Sequence, residues 1–359
     1  MSEETRLQLK RSQASLKALK GGYHPSQIEY PRNSPAVIHL AGGEKHESTC
    51  IGCPDTPCFS LTRDKFTVTM IDGFSSAVHG GVCATEAIVI SSETGIPEID
   101  ADRCVFCGIC ADRCPVGAIY IDDGCGATIS TGESELFESV PGVDVQRYEE
   151  TLREFKDATR VGPYVHESNL FLQKVGERVS ALCAELDGDV AGVLVRNLLI
   201  SSGFTAATRR KGNTHLRMDL LFEKGSEIQG LAEIEFSDSQ TLDISRDILD
   251  SVAVASSRYG VDRTALFLAG IFLKFPNRRT DYWEILRDIN AVLSLRVGTI
   301  SLMALMLLVW NRSELDRKTL EYFYTDPSSD SYLNEVLVKL IGRELNLSAS
   351  SSSYLEVIK

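Results

Sequence analysis

Apolar residues are spaced in two different rhythms along the chain. Two short β-type runs, AIVI (87–90) and AIYI (118–121), stand in a segment otherwise rich in Cys, Gly and Pro. From about 166 onward the pattern turns regular. NLFLQKVGERVSALCAEL (169–186) and VAGVLVRNLLISSGF (190–204) carry helix-period apolar positions, the second ending at Gly203. FTAATRR (204–210), LRMDLLFE (216–223) and IQGLAEIEF (228–236) predict three strands. ISRDILDSVAVASSRYG (244–260) predicts a helix and TALFLAGIFLKF (264–275) a strand; TDYWEILRDINAVLSL (280–295) and SLMALMLLVW (301–310) predict two more helices. The order α-α-β-β-β-α-β-α-α points to an α/β or α+β layer.

These rhythms divide the 359 residues into a mildly basic extension over 1–40, a cysteine-rich domain over 41–130, and an acidic linker over 131–165. A helix-and-strand domain over 166–345 follows, then a Ser-rich tail over 346–359. The linker contains a helical pattern in VQRYEETLREFKDA (145–158). The most apolar stretch, GTISLMALMLLVW (298–310), is too short to span a bilayer and is expected to be a buried helix.

The net charge of −13 argues against sequence-blind nucleic-acid binding, which needs a broad basic footprint. It leaves room for a small basic groove. The first 22 residues lack the apolar core of a signal peptide, and a reducing cytoplasm is the expected setting. No membrane association is expected.

Eight of the ten cysteines lie between Cys50 and Cys114. Their clumped spacing suits metal ligation better than bridging. The second clump reads Cys104-x2-Cys107-x2-Cys110-x3-Cys114-Pro115. The first reads Cys50-x2-Cys53-x4-Cys58, with Cys83 much later opening CATEAIVI, a parallel to CPVGAIYI from Cys114. Zinc also takes CxxC pairs, but one tetrahedral ion needs only four thiolates. The second clump closely resembles the bacterial two-cluster ferredoxins. The first departs from them in its longer final gap, its missing proline and the distance to Cys83, as if a hairpin were inserted.

That resemblance implies crossed fourth ligands and two [4Fe-4S] clusters. Cys50, Cys53, Cys58 and Cys114 would hold cluster 1; Cys83, Cys104, Cys107 and Cys110 would hold cluster 2. Cys125 and Cys183 are expected to be ordinary buried thiols.

A second candidate site lies in residues 215–238. Even positions Leu216, Met218, Leu220, Phe222, Ile228, Ala232, Ile234 and Phe236 form an apolar face, whereas Arg217, Asp219, Glu233 and Glu235 share the other. If both apolar faces meet one core, a turn centred on Ser226 sets Asp219 opposite Glu233, with Glu235 one step along. Three gathered carboxylates repel unless a cation sits among them. Mg2+, or Mn2+, takes such oxygen ligands. Equally, the acidic strand face can be merely solvated, with Arg217 neutralising it.

Here the chain resembles the PD-(D/E)xK nucleases over about 166–311, with Glu235 where that family carries lysine. The fold expected overall is thus a ferredoxin-like 2x[4Fe-4S] domain followed by an α-β-β-β-α-β nuclease-like domain. The resemblance implies a restriction-endonuclease-like hydrolase in which Asp219 and Glu233 bind the metal and Glu235 completes the catalytic set. Asp189 or Glu185 would add a further acid. Arg209, Arg210, Lys211, Lys274, Arg278 and Arg279 would contact the nucleic-acid backbone, most simply of DNA. His215 is expected to be a surface residue. A restriction or phage-defence role with redox regulation follows by analogy. The alternative is a ferredoxin-type electron-transfer protein whose C-terminal domain is a non-catalytic docking module for a redox partner protein.

Overall fold

The structure is a computed structural model that describes residues 58–59, 81–90, 97–114, 119–122, 126–129, 168–186, 189–209, 216–225, 227–237, 242–277, 279–324, 332–345, 347 and 354. Cys50, Cys53, Cys125, Arg210, Lys211, His215 and Arg278 lie outside the described residues, as does the acidic linker. The described residues fall into two compact units, divided between residues 129 and 168.

The first unit is built from two small antiparallel ribbons and one helical turn. β1 (Ile88–Ile90) pairs with β2 (Pro97–Ile99), Ile88 opposite Ile99. β3 (Ile119–Asp122) pairs with β4 (Gly126–Ile129). Both β-type runs of the sequence are thus strands. Between the ribbons, α1 (Ile109–Arg113) starts after Gly108 and ends where the Cys114 N–H donates to the Cys110 carbonyl at 3.0 Å. Val82, Ala87, Ile88, Val105, Phe106 and Ile109 are buried and form the apolar floor.

The second unit is a five-stranded mixed sheet in the order β5-β6-β7-β8-β9. β5 (Thr205–Thr208), β6 (Leu220–Lys224) and β7 (Glu227–Glu235) are antiparallel; β8 (Phe267–Phe272) and β9 (Val297–Ser301) continue parallel to β7. Parallel neighbours need long crossovers. Here these contain α4 (Asp243–Tyr259) and α5 (Tyr282–Leu293). Two helices precede the sheet, α2 (Asn169–Glu185) and α3 (Val190–Ser201), and α6 (Leu302–Trp310), α7 (Arg317–Leu320) and α8 (Tyr332–Ile341) follow it.

Leu221, Leu231, Leu268 and Val297 stand side by side across four strands and pack with Ile248 and Val252 of α4 and Ile289 of α5. On the opposite face, Phe222 meets Phe204 edge-on at 5.2 Å, just after α3. A sheet covered on both faces needs apolar residues at successive positions, not at alternate ones. This corrects the expectation of one apolar face at even positions. The strand also starts later than expected: residues 216–219 lie outside the β6 ladder, so Leu216 and Met218 join the same core as Leu221.

A second correction concerns the stretch 298–310. Its first four residues belong to β9, and only α6 is the buried helix. Val297, Thr299 and Ile300 favour the extended chain. Ser301 then ends the strand and caps the helix, its hydroxyl accepting from the Ala304 N–H at 3.2 Å.

Candidate metal centre

Cys83, Cys104, Cys107 and Cys110 line one cavity. Cys83 precedes β1, Cys104 and Cys107 lie on the loop after β2, and Cys110 sits in the first turn of α1. Val82, Ala87, Ile88, Ile99, Val105 and Ile109 complete an almost wholly apolar wall. Cys58 and Cys114 are buried in the same unit but do not line this cavity. Six cysteines of this unit lie among the described residues.

The chain enters the cavity through two non-glycine residues in the left-handed region, Glu86 at φ 54° and Phe106 at φ 57°. Such a conformation costs about 1 kcal/mol for a residue bearing a Cβ. Phe106 is buried, and its turn carries Cys104 and Cys107 to the same wall. At Cys83 the backbone supplies a donor: the Ala87 N–H reaches its Sγ at 3.2 Å. Thr85, fully buried, places Oγ1 3.5 Å from the same sulfur and 2.6 Å from the carbonyl oxygen of Arg103.

Burial, and then the charge of Cys83, push the Cys107 thiol far above its ordinary range; Cys110 is raised by burial, then by Cys107, Cys104, Cys83 and Cys58. Thiols this reluctant to ionise become ligands only beside a strong positive charge. An iron–sulfur cluster supplies it, and the donor set fits. Four cysteines on one wall would supply one thiolate to each iron of a [4Fe-4S] cube.

The acidic hairpin is assembled differently from expectation. Beyond Phe222↔Gly230, the ladder follows the expected register to Leu220↔Ala232, and its continuation sets Asp219 beside Glu233. Nearer the turn it is shifted by one residue, to Glu223↔Ile228 and Lys224↔Glu227. The turn opens with Gly225 at φ 73°, a conformation that favours glycine. Asp219 is held by the Ile234 N–H at 3.2 Å and pairs with Arg209 at 3.7 Å. Glu233 is buried, and the Ser251 hydroxyl of α4 donates to it at 2.5 Å. Burial and then the charge of Asp219 raise the Glu233 carboxyl well above the usual carboxylate range, and burial raises Asp219 too.

Asp219 and Glu233 share a side-chain hydrogen bond, and the charge of Asp219 also reaches Glu235. Glu235 turns to the backbone, accepting from the Ser237 N–H at 2.6 Å, and is raised mainly by burial. Arg209, expected on a phosphate, pairs with Asp219, and Arg217 is exposed. Lys274, expected on the same backbone, lies over the Tyr354 ring at 5.7 Å. Arg279 donates its N–H to the Asn277 side chain in an exposed turn. Asp189 caps α3 by accepting from Gly192 at 2.7 Å, while its charge still reaches Asp219. Cys183 is half-buried, less enclosed than expected.

Thr85, Ala87 and Ser251 were missed in the sequence. For Thr85 a signal existed: in the paired segments CATEAIVI and CPVGAIYI it stands where the second has Val116. Ser251 had none, because its role depends on where α4 crosses the sheet.

Comparison with known proteins places a 4Fe-4S binding domain at residues 97–120. The chain is 48% identical to an uncharacterized ferredoxin of Methanocaldococcus jannaschii over 98 residues, 24% of this chain and 59% of that protein. It is 26% identical over 99 residues to the polyferredoxin-like subunit of an aliphatic sulfonate oxidoreductase of Pyrococcus furiosus, covering 25% of this chain and 45% of that subunit. The chain thus spans about half the length of these relatives. No solved structure matches it. Among the described residues no helix is long and apolar enough to cross a membrane.

Proposed function

We propose that this ferredoxin-type iron–sulfur protein carries electrons to or from a redox partner protein. Its two [4Fe-4S] clusters are held by crossed ligands: Cys50, Cys53, Cys58 and Cys114 for one, Cys83, Cys104, Cys107 and Cys110 for the other. The observation that carries this reading is an apolar cavity lined by all four cysteines of the second set and, among the described residues, by none of the first. Apolar walls and a backbone donor to Cys83 are what a low-dielectric electron-transfer site requires, since sulfur hydrogen bonds and solvent exposure set the potential. Cys83 is partly exposed, which leaves this cluster a short path to a docked partner. The Pyrococcus relative, a polyferredoxin-like subunit of an oxidoreductase, supports the same role.

The second unit has the α-β-β-β-α-β order expected from the sequence. We propose that it serves as a docking module. Asp219 pairs with Arg209 and accepts from the Ile234 N–H, Glu233 accepts from the Ser251 hydroxyl and is raised by burial and by Asp219, and Glu235 accepts from the Ser237 N–H. This arrangement favours the docking role over Mg2+-dependent hydrolysis.

Two assays test the proposal. Protein purified without oxygen is reduced with dithionite, reoxidised with methyl viologen and assayed for iron at each stage. Reversible bleaching with constant iron is expected; iron that cannot be reduced, or stoichiometric zinc, contradicts electron transfer. DNA and RNA are then incubated with the protein and Mn2+. No cleavage is expected, and cleavage abolished by Asp219→Ala restores the nuclease reading.

A further inference from the structure

We infer that Thr85 sets the reduction potential of the cluster held by Cys83, Cys104, Cys107 and Cys110, its one hydroxyl hydrogen being shared between the Arg103 carbonyl and the Cys83 sulfur. The inference rests on the cluster assignment above and adds the regulation of that site.

Thr85 Oγ1 lies 2.6 Å from the Arg103 oxygen and 3.5 Å from Cys83 Sγ. A carbonyl oxygen only accepts, so the short contact fixes the hydroxyl as donor in the state seen here. A free thiol at Cys83 can return the favour by donating to Oγ1. An iron-bound thiolate has no hydrogen to give, so toward it Thr85 can only donate. The hydroxyl then has two acceptors and one hydrogen. Thr85 is fully buried, and no bulk water reaches its hydroxyl.

Adding one electron to the cluster raises the negative charge on its sulfurs and makes Cys83 the better acceptor. Charge-assisted hydrogen bonds exceed neutral ones. The hydroxyl then turns from Arg103 toward Cys83, the hydrogen staying bonded to Oγ1. One electron enters from an external reductant, and no bond is made or broken in the side chain. The reduced state gains a donor that the oxidised state lacks, so Thr85 raises the potential. The Ala87 N–H also reaches Cys83, but a backbone donor cannot rotate between acceptors. It acts on both states.

The test compares wild type, Thr85→Val and Thr85→Ser by anaerobic redox titration followed by EPR, after iron and sulfide analysis. Thr85→Val keeps the shape and removes the hydroxyl. At a fixed solution potential it is expected to hold about three- to tenfold less reduced cluster, the scale of one hydrogen bond. Tenfold corresponds to a drop of about 59 mV for a one-electron couple. Thr85→Ser is expected to titrate with wild type. An unchanged potential in iron-replete Thr85→Val overturns the inference. If that variant loses iron, Thr85→Ala against Thr85→Ser gives the same comparison; iron loss from both hydroxyl-free variants also overturns it, because the hydroxyl would then retain the cluster and not tune it. Wild-type protein without iron refutes the cluster assignment itself, a separate outcome read at the first step.

Discussion

Cys83 and Cys107 meet on the wall of one cavity although they come from different half-motifs, and the charge of Cys83 is the second cause, after burial, that raises Cys107. Cysteines from both halves of the motif therefore line one cavity. In the proposed crossed ligation neither half-motif completes its cluster alone.

Glu86 is a local conflict in that unit. It adopts φ 54°, where the parallel segment from Cys114 has Gly117. Its ion pair with Arg103, 3.6 Å long and largely exposed, contributes little. Glu86→Gly is expected to stabilise the iron-loaded unit by about 0.5–1 kcal/mol, because glycine adopts this backbone freely. Denaturant titration followed at the cluster absorbance measures it; a loss of stability of that size contradicts the strain assignment.

Gly230 stands between its partners Phe222 and Phe267 on the two neighbouring strands. A Cβ there would come within 2.5 Å of the Phe267 carbonyl oxygen and closer still to the Phe222 ring. The carbonyl belongs to the neighbouring strand and cannot move aside cheaply. Gly230→Ala is expected to destabilise the second unit by about 1–3 kcal/mol. Thermal unfolding monitored by circular dichroism checks this, with a fall in Tm of at least about 2 °C expected.

Glu233 makes the same unit sensitive to pH. Its carboxyl is raised in the fold by burial and by Asp219. The native state therefore keeps a proton that the unfolded chain releases once pH passes the ordinary carboxylate value. Stability is complete below that value and declines as pH rises toward the folded one. Glu233→Gln mimics the protonated form and keeps an acceptor for Ser251. It is expected to match wild type near pH 4 and to exceed it at pH 8 by at least about 1 kcal/mol, the scale of a one-unit shift. Parallel pH profiles for the two proteins would contradict the buried-proton account.

The cysteine spacing was legible because cluster ligation is local: Cys104, Cys107 and Cys110 reach one wall through a single loop and helical turn. Cys83 was legible only through the likeness of the segment after it to the one after Cys114. The ladder from Phe222 to Ala232 kept the expected register, even residues opposite even ones, although the odd residues Leu221 and Leu231 are buried as well. Other features depended on packing that no local pattern encodes. Helices on both sides of the sheet hid the alternation. β9 ran straight into α6 within one apolar stretch. The ladder starts only at Leu220, and Asp219, just before it, pairs with Arg209.

The crossed ligation is tested most directly by comparing Cys83→Ala and Cys114→Ala in anaerobically purified protein by Mössbauer and EPR spectroscopy. Cys83→Ala should lose or convert the cluster held with Cys104, Cys107 and Cys110, whereas Cys114→Ala should leave that cluster's spectrum intact and disturb the other. The opposite pattern, in which Cys114→Ala removes the cluster of its near neighbours and Cys83→Ala spares it, would contradict the account.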